Sequence, residues 1–242
     1  MKRLLHQALG VFFLLLALLP ASAQQSKGAA VVNEDKPGTG KVHGLIIGIN
    51  AYQDFPALQY ANADALNFYR LLLSPSIGAD SNHVVLLLNE KATSPNVYEA
   101  LENLVTFAKA GDRVFIYFSG HGDVEKTTVQ QFGFLVTYDT PKKMVMRNSL
   151  DVNHLNAYVS TLSLKNKADV FLITDACRSG RINESNTVDY TYLAQTLGGK
   201  TADEVRILSS QSNQLSYEGV QWGQGRGLFS YVLTNGLAGT AD

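Results

Sequence analysis

Val114-Phe115-Ile116-Tyr117-Phe118 runs into Ser119-Gly120-His121-Gly122, and Val170-Phe171-Leu172-Ile173-Thr174 runs into Asp175-Ala176-Cys177-Arg178. Both runs are short, apolar and rich in β-branched and aromatic residues, which reads as a pair of buried strands. Each ends in a chemically loaded residue, a histidine in the first and the only cysteine of the chain in the second. In an open α/β sheet the carboxyl ends of parallel strands form the functional crevice. Two neighbouring strands would therefore bring His121 and Cys177 together although they lie 56 residues apart. A thiol beside an imidazole is the minimal equipment of a cysteine nucleophile, because attack needs thiolate and free cysteine is mostly thiol at neutral pH.

The surrounding sequence supports such a sheet. Apolar runs at 43–50, 83–89, 112–119 and 204–210 alternate with helical patterns at about 62–73, 95–109, 152–162 and 228–237. This alternation predicts βαβ units and a mostly parallel sheet. Ser94 and Pro95 read as the N-cap and first turn of the second helix, with Tyr98, Leu101, Val105 and Ala108 at helical spacing behind them. Residues 131–138 read as a further strand or hairpin arm. The polar stretch from Arg178 to Lys200 reads as a long loop with room for a short helix, and loops of that length are commonly functional. No internal repeat and no metal-ligand spacing is visible.

The ends of the composition are also informative. Lys2 and Arg3 precede an apolar stretch from Leu9 to Leu19, followed by Pro20-Ala21-Ser22-Ala23. This is the layout of a secretory signal peptide with cleavage after Ala23. A membrane anchor is the competing reading, but the run is shorter than the roughly 20 apolar residues a bilayer span needs. The expected organisation is a signal peptide at 1–23, a turn-rich leader at 24–40 and one domain at 41–242. The mature chain would be periplasmic or secreted, with no stable membrane insertion. Signal removal leaves 18 basic against 21 acidic residues, a net charge of −3, and no basic stripe suggests a nucleic-acid partner. One cysteine excludes an internal disulfide.

Together the Ser-Gly-His-Gly and Asp-Ala-Cys-Arg motifs, in that order and on successive core strands, resemble those of caspase-like cysteine peptidases of family C14. The closer likeness is to the metacaspase and bacterial caspase-homologue branch. The resemblance extends to Gly48-Ile49-Asn50-Ala51-Tyr52, to Ala61-Asn62-Ala63-Asp64-Ala65 and to Gly227-Leu228-Phe229-Ser230-Tyr231-Val232-Leu233, and covers about residues 43–237. It implies a three-layer α/β/α fold with six main strands in the order 2-1-3-4-6-5. Five are visible here, so the sixth is expected to be missing and an interior position of the sheet to stand empty. It also implies a His121/Cys177 dyad, with the main-chain N–H groups of Gly122 and Cys177 holding the oxyanion. The metacaspase branch takes arginine or lysine before the scissile bond in an acidic pocket. Carried over residue by residue, that pocket is Asp64, Ser119 and Asp175, placed at the carboxyl ends of three strands.

The sequence departs from the branch in having Arg178-Ser179-Gly180 after the cysteine, where metacaspases commonly have His-Ser-Gly. The chemistry implied needs no cofactor. Calcium activates many metacaspases, and this chain has no EF-hand loop. His43, His83 and His154 read as surface or strand-end residues, and His6 belongs to the signal. Glu218 and Trp222 are candidates for a wall of the cleft. Arg181 and Lys200 are candidate self-cleavage points under a basic specificity. Three functions fit the motifs: an exported endopeptidase acting on peptides or proteins after Arg or Lys, a catalytically silent module that binds peptides or partners in the same crevice, and a thiol acyltransferase or amidase acting on a non-peptide amide. Oligomeric state has no signal in the sequence.

Overall fold

The computed structural model describes residues 40–125, 127–129, 131–176, 190–200, 202–209 and 217–240. The expected signal peptide, most of the leader, Cys177, Arg178 and Arg181 lie outside these residues. Everything described belongs to the unit Gly38–Asp242.

Five parallel strands form the central sheet: β1 (Val42–Gly48), β2 (Val84–Leu88), β3 (Arg113–Ser119), β7 (Asp169–Asp175) and β8 (Val205–Leu208), in the order β2-β1-β3-β7-β8. In chain order these are strands 2-1-3-4-5. The fifth strand bonds directly to the fourth, with Phe171 opposite Val205 and Thr174 opposite Leu208. The expected empty interior position is therefore absent, and the order 2-1-3-4-6-5 is corrected. The sheet simply ends at β8 among the described residues.

Because side chains alternate across a strand, the apolar runs feed two cores at once. Leu45, Ile47, Ile116 and Phe118 point to one face, where they meet Leu101 and Leu104 of α2 (Ser94–Phe107), Leu155 of α3 (Val152–Ser160) and Leu193 of α4 (Tyr190–Gly198). Ile46, Phe115 and Tyr117 point to the other, against Phe68 and Leu72 of α1 (Ala61–Leu73), with Phe229 and Leu233 of α5 (Leu228–Asn235) packed alongside. This is the expected three-layer sandwich. The ring of Phe68 stacks on Tyr117 at 4.6 Å and that of Phe115 on Phe171 at 4.7 Å. Full burial of a side chain such as Phe68 is worth about 1.5–3 kcal/mol, so the Phe68–Tyr117 contact holds α1 against the middle of the sheet.

A second, antiparallel sheet was only partly foreseen. β4 (Gly122–Glu125), β5 (Phe132–Leu135) and β6 (Leu150–Asp151) leave the carboxyl end of β3, with Gly122 opposite Leu135 and Leu135 opposite Leu150. The segment just before α5 folds into a hairpin of β9 (Glu218–Gly219) and β10 (Arg226–Gly227). The cap of α2 is also corrected. Thr93, not Ser94, is the N-cap, its Oγ1 accepting the Asn96 N–H, while the Ser94 N–H goes to Asp139 Oδ1 at 2.8 Å. Both are capping residue types one position apart, and a carboxylate distant in sequence decides between them.

Candidate active site

The parallel register of β3 and β7 sets the site. It places Ser119 directly opposite Asp175, each the last residue of its strand, and both fully buried. One residue further, the Gly120 N–H donates to the Asp175 carbonyl at 3.2 Å. Gly122 then lies so close to the end of β7 that a Cβ there would sit 3.0 Å from the Ala176 carbonyl oxygen and 2.4 Å from Leu193 Cδ2. The segment Gly120-His121-Gly122 is thus held against Asp175-Ala176, the two residues that lead into Cys177. Cys177 itself lies outside the described residues, as does its main-chain N–H.

His121 is 2% exposed and is gripped from both ends. Its main-chain N–H donates to the Tyr52 hydroxyl at 2.9 Å, and its ring lies 4.9 Å from that of Tyr52 and 6.0 Å from that of Phe55. Its Nε2 is 2.8 Å from the Pro56 carbonyl oxygen. A carbonyl only accepts, so Nε2 carries a proton, and the neutral form of the ring has its lone pair on Nδ1. A base so oriented takes a proton at Nδ1, and the Pro56 oxygen then faces the positive ring. Tyr52, Phe55 and Pro56 are site residues that the motifs did not identify. Tyr52 closes the Gly48-to-Tyr52 fragment and so left a trace, whereas Pro56 acts through its main chain and left none.

Asp64 is fully buried in the first turn of α1, a correction to its placement at a strand end. The helix is drawn onto β1 by Gly48, where a Cβ would meet Ala65 Cβ at 2.5 Å and the Ala61 carbonyl at 2.6 Å. The Asp64 carboxylate accepts the Gly227 N–H, at 3.0 Å to Oδ1 and 3.2 Å to Oδ2. That bond ties the β9–β10 hairpin to the first turn of α1. Gly225 of the same hairpin packs on Tyr60, and Trp222 lies 6.1 Å from Tyr231, ring to ring. Ser119 Oγ is buried with no hydrogen-bond partner among the described residues, as is Ser230 Oγ in the first turn of α5. Buried hydroxyls are normally paired.

The remaining candidates separate from this edge. His43 lies at the start of β1, a strand end as expected, where it is buried and bonded to Asp112, while His154 is exposed on α3. Lys200 is exposed just beyond α4. Among the described residues no group of three or more His, Cys, Asp or Glu is arranged to hold a metal ion, and no helix is long and apolar enough to cross a membrane.

The geometry defines a three-layer α/β protein in which buried Ser119, His121 and Asp175 lie at the carboxyl ends of two adjacent parallel strands, β3 and β7. The caspase-domain family model (Peptidase C14) matches residues 41–241, and the chain belongs to that family. It is 25% identical over 191 residues to Metacaspase-1 of Lodderomyces elongisporus, covering 74% of this chain and 41% of that protein. It is 29% identical over 113 residues to Metacaspase-1 of Saccharomyces cerevisiae, covering 44% and 26%. The chain thus spans less than half the length of these curated relatives. Among solved structures, protein GSU0716 from Geobacter sulfurreducens superimposes with a TM-score of 0.57 at 21% identity, covering 81% of this chain and 83% of that one. Pro-sf-caspase-1 follows at 0.52 and 12%, covering 85% and 77%. At these identities the likeness is one of fold.

Proposed function

We propose that the protein is an exported cysteine endopeptidase that cleaves peptides or proteins after arginine or lysine. The observation that carries this reading is the register of β3 and β7, which sets Ser119 beside Asp175 and holds His121 against the residues leading into Cys177. In the reaction the Cys177 sulfur loses its proton to His121 Nδ1 and attacks the scissile carbonyl. His121 then protonates the leaving amine, and water hydrolyses the thioester with His121 as base. The N–H groups of Gly122 and Cys177 hold the oxyanion, where one donor is worth on the order of 3–4 kcal/mol. Asp64 and Asp175 supply the negative charge for a basic side chain, and the Ser119 hydroxyl, without a partner among the described residues, supplies a further hydrogen bond to it. Export rests on the N-terminal sequence pattern alone.

The test is hydrolysis of matched fluorogenic peptides ending in Arg, Lys or Asp, with and without calcium, by mature protein and by Cys177→Ala under reducing conditions. Cleavage after Arg or Lys that vanishes in the variant is the expected result. Cleavage after Asp alone contradicts the acidic pocket, and no cleavage by folded protein favours the silent binding module.

A further inference from the structure

At the opposite, amino-terminal edge of the sheet, α2 leaves part of the edge strand β2 uncovered, and the gap is a cleft of about 790 Å3. Small-molecule sites commonly measure roughly 300–1,000 Å3. The lining of the cleft is of two kinds. One is basic: Lys41 Nζ lies 3.1 Å from His83 Nε2, the His83 ring is 5.2 Å from that of His43, and Lys109 also lines the cleft. The other is apolar, formed by Val85, Leu104 and Phe107, with Val85 41% and Phe107 62% exposed.

The one carboxylate lining the cleft, Asp112, is already committed to the fold. Its Oδ1 accepts the main-chain N–H of Lys41 at 2.8 Å, and its Oδ2 accepts the N–H of Lys109 at 2.9 Å and bonds His43 Nε2 at 3.0 Å. Burial works against ionisation of Asp112, yet these donors outweigh it and hold its carboxyl below the usual carboxylate range. The Lys41 ammonium therefore donates to an imidazole rather than to a carboxylate. An ammonium makes a stronger, charge-assisted bond to a carboxylate than to a neutral acceptor. Beside it, an apolar wall stands open to water, and covering such a wall is favourable in proportion to the area removed from solvent.

We propose that this cleft binds an amphipathic monocarboxylate, its head on the Lys41 ammonium and its hydrocarbon chain along Val85, Leu104 and Phe107. The site is separate from the His121 edge and does not rest on the peptidase reading. Octanoate is the probe, titrated into the full chain and followed by amide chemical shifts. Saturable shifts are expected in residues 41–44, 82–85 and 103–109. Lys41→Ala keeps the main-chain N–H to Asp112 and is expected to weaken octanoate at least tenfold. Phe107→Ala removes only a mostly exposed ring and is expected to weaken it several-fold. Octylammonium, with the same chain and the opposite charge, is expected not to bind. Equal binding of octylammonium, unchanged octanoate affinity in the folded Lys41→Ala protein, or no saturable shift in those segments would overturn the proposal.

Discussion

His121 shows how a single residue is held in one orientation by its neighbours. The Tyr52 hydroxyl fixes its main chain and the Pro56 carbonyl fixes its tautomer. Tyr52→Phe removes the acceptor of a buried N–H, which costs about 1–3 kcal/mol. Thermal unfolding should show that loss, and kcat should fall while KM for an arginyl peptide stays nearly constant. His121→Ala should remove turnover while leaving the fold intact, checked by peptide hydrolysis and circular dichroism. In the proposed pocket, Asp175→Asn removes a charge that would face the substrate cation. We expect kcat/KM for arginyl peptides to drop by at least tenfold, measured against a neutral-residue peptide that should change little. The placement of Ser119, His121 and Asp175 at adjoining strand ends was legible because each closes an apolar run in a recognisable motif. The Pro56 contact was not, because a main-chain carbonyl has no signature in sequence.

Elements were legible wherever hydrophobic periodicity was strong and obscure where a distant contact decided. β1, β3 and β7 emerged from apolar runs, since strands buried on both faces in a parallel sheet need such runs. The cap of α2 and the β9–β10 hairpin depend on Asp139 and on the bond from Gly227 to Asp64, which local patterns cannot reveal. Where Gly48 meets α1, Gly48→Ala would drive a methyl into Ala65 and the Ala61 carbonyl. Overpacking of this kind typically costs about 1–3 kcal/mol. Thermal melts should register it, and an arginyl peptide should show a raised KM because α1 carries Asp64. Asp112 joins the start of β1 to the turn before β3. Its carboxyl is held below the ordinary range, so its stabilising contribution is present above the unfolded pKa near 3.9 and disappears as pH falls through the lower folded value. Asp112→Asn should therefore lower the melting temperature at pH 7, and the gap from the wild type should narrow as the pH drops below 4.

The whole molecule gathers residues from α1, β3 and β7 at one sheet edge, and that convergence follows from the parallel topology. The fold class was legible because two apolar strands ended in reactive motifs. The direct pairing of β7 with β8 was not, because strand order is settled by packing between segments far apart in sequence. Under a basic specificity, Arg181 and Lys200 are candidate self-cleavage points. Fragments ending at either residue should appear by mass spectrometry in active protein and be absent from Cys177→Ala. The same fragments in both would contradict self-processing. The central claim joins a nucleophile on one strand to an acidic pocket spread over three elements. It is tested most directly by intact-protein mass after treatment with matched arginyl and aspartyl chloromethyl ketone peptides. The account predicts one covalent adduct, mapped to Cys177, formed with the arginyl reagent far faster than with the aspartyl one. Faster labelling by the aspartyl reagent, or a folded protein whose Cys177 takes neither, would contradict it.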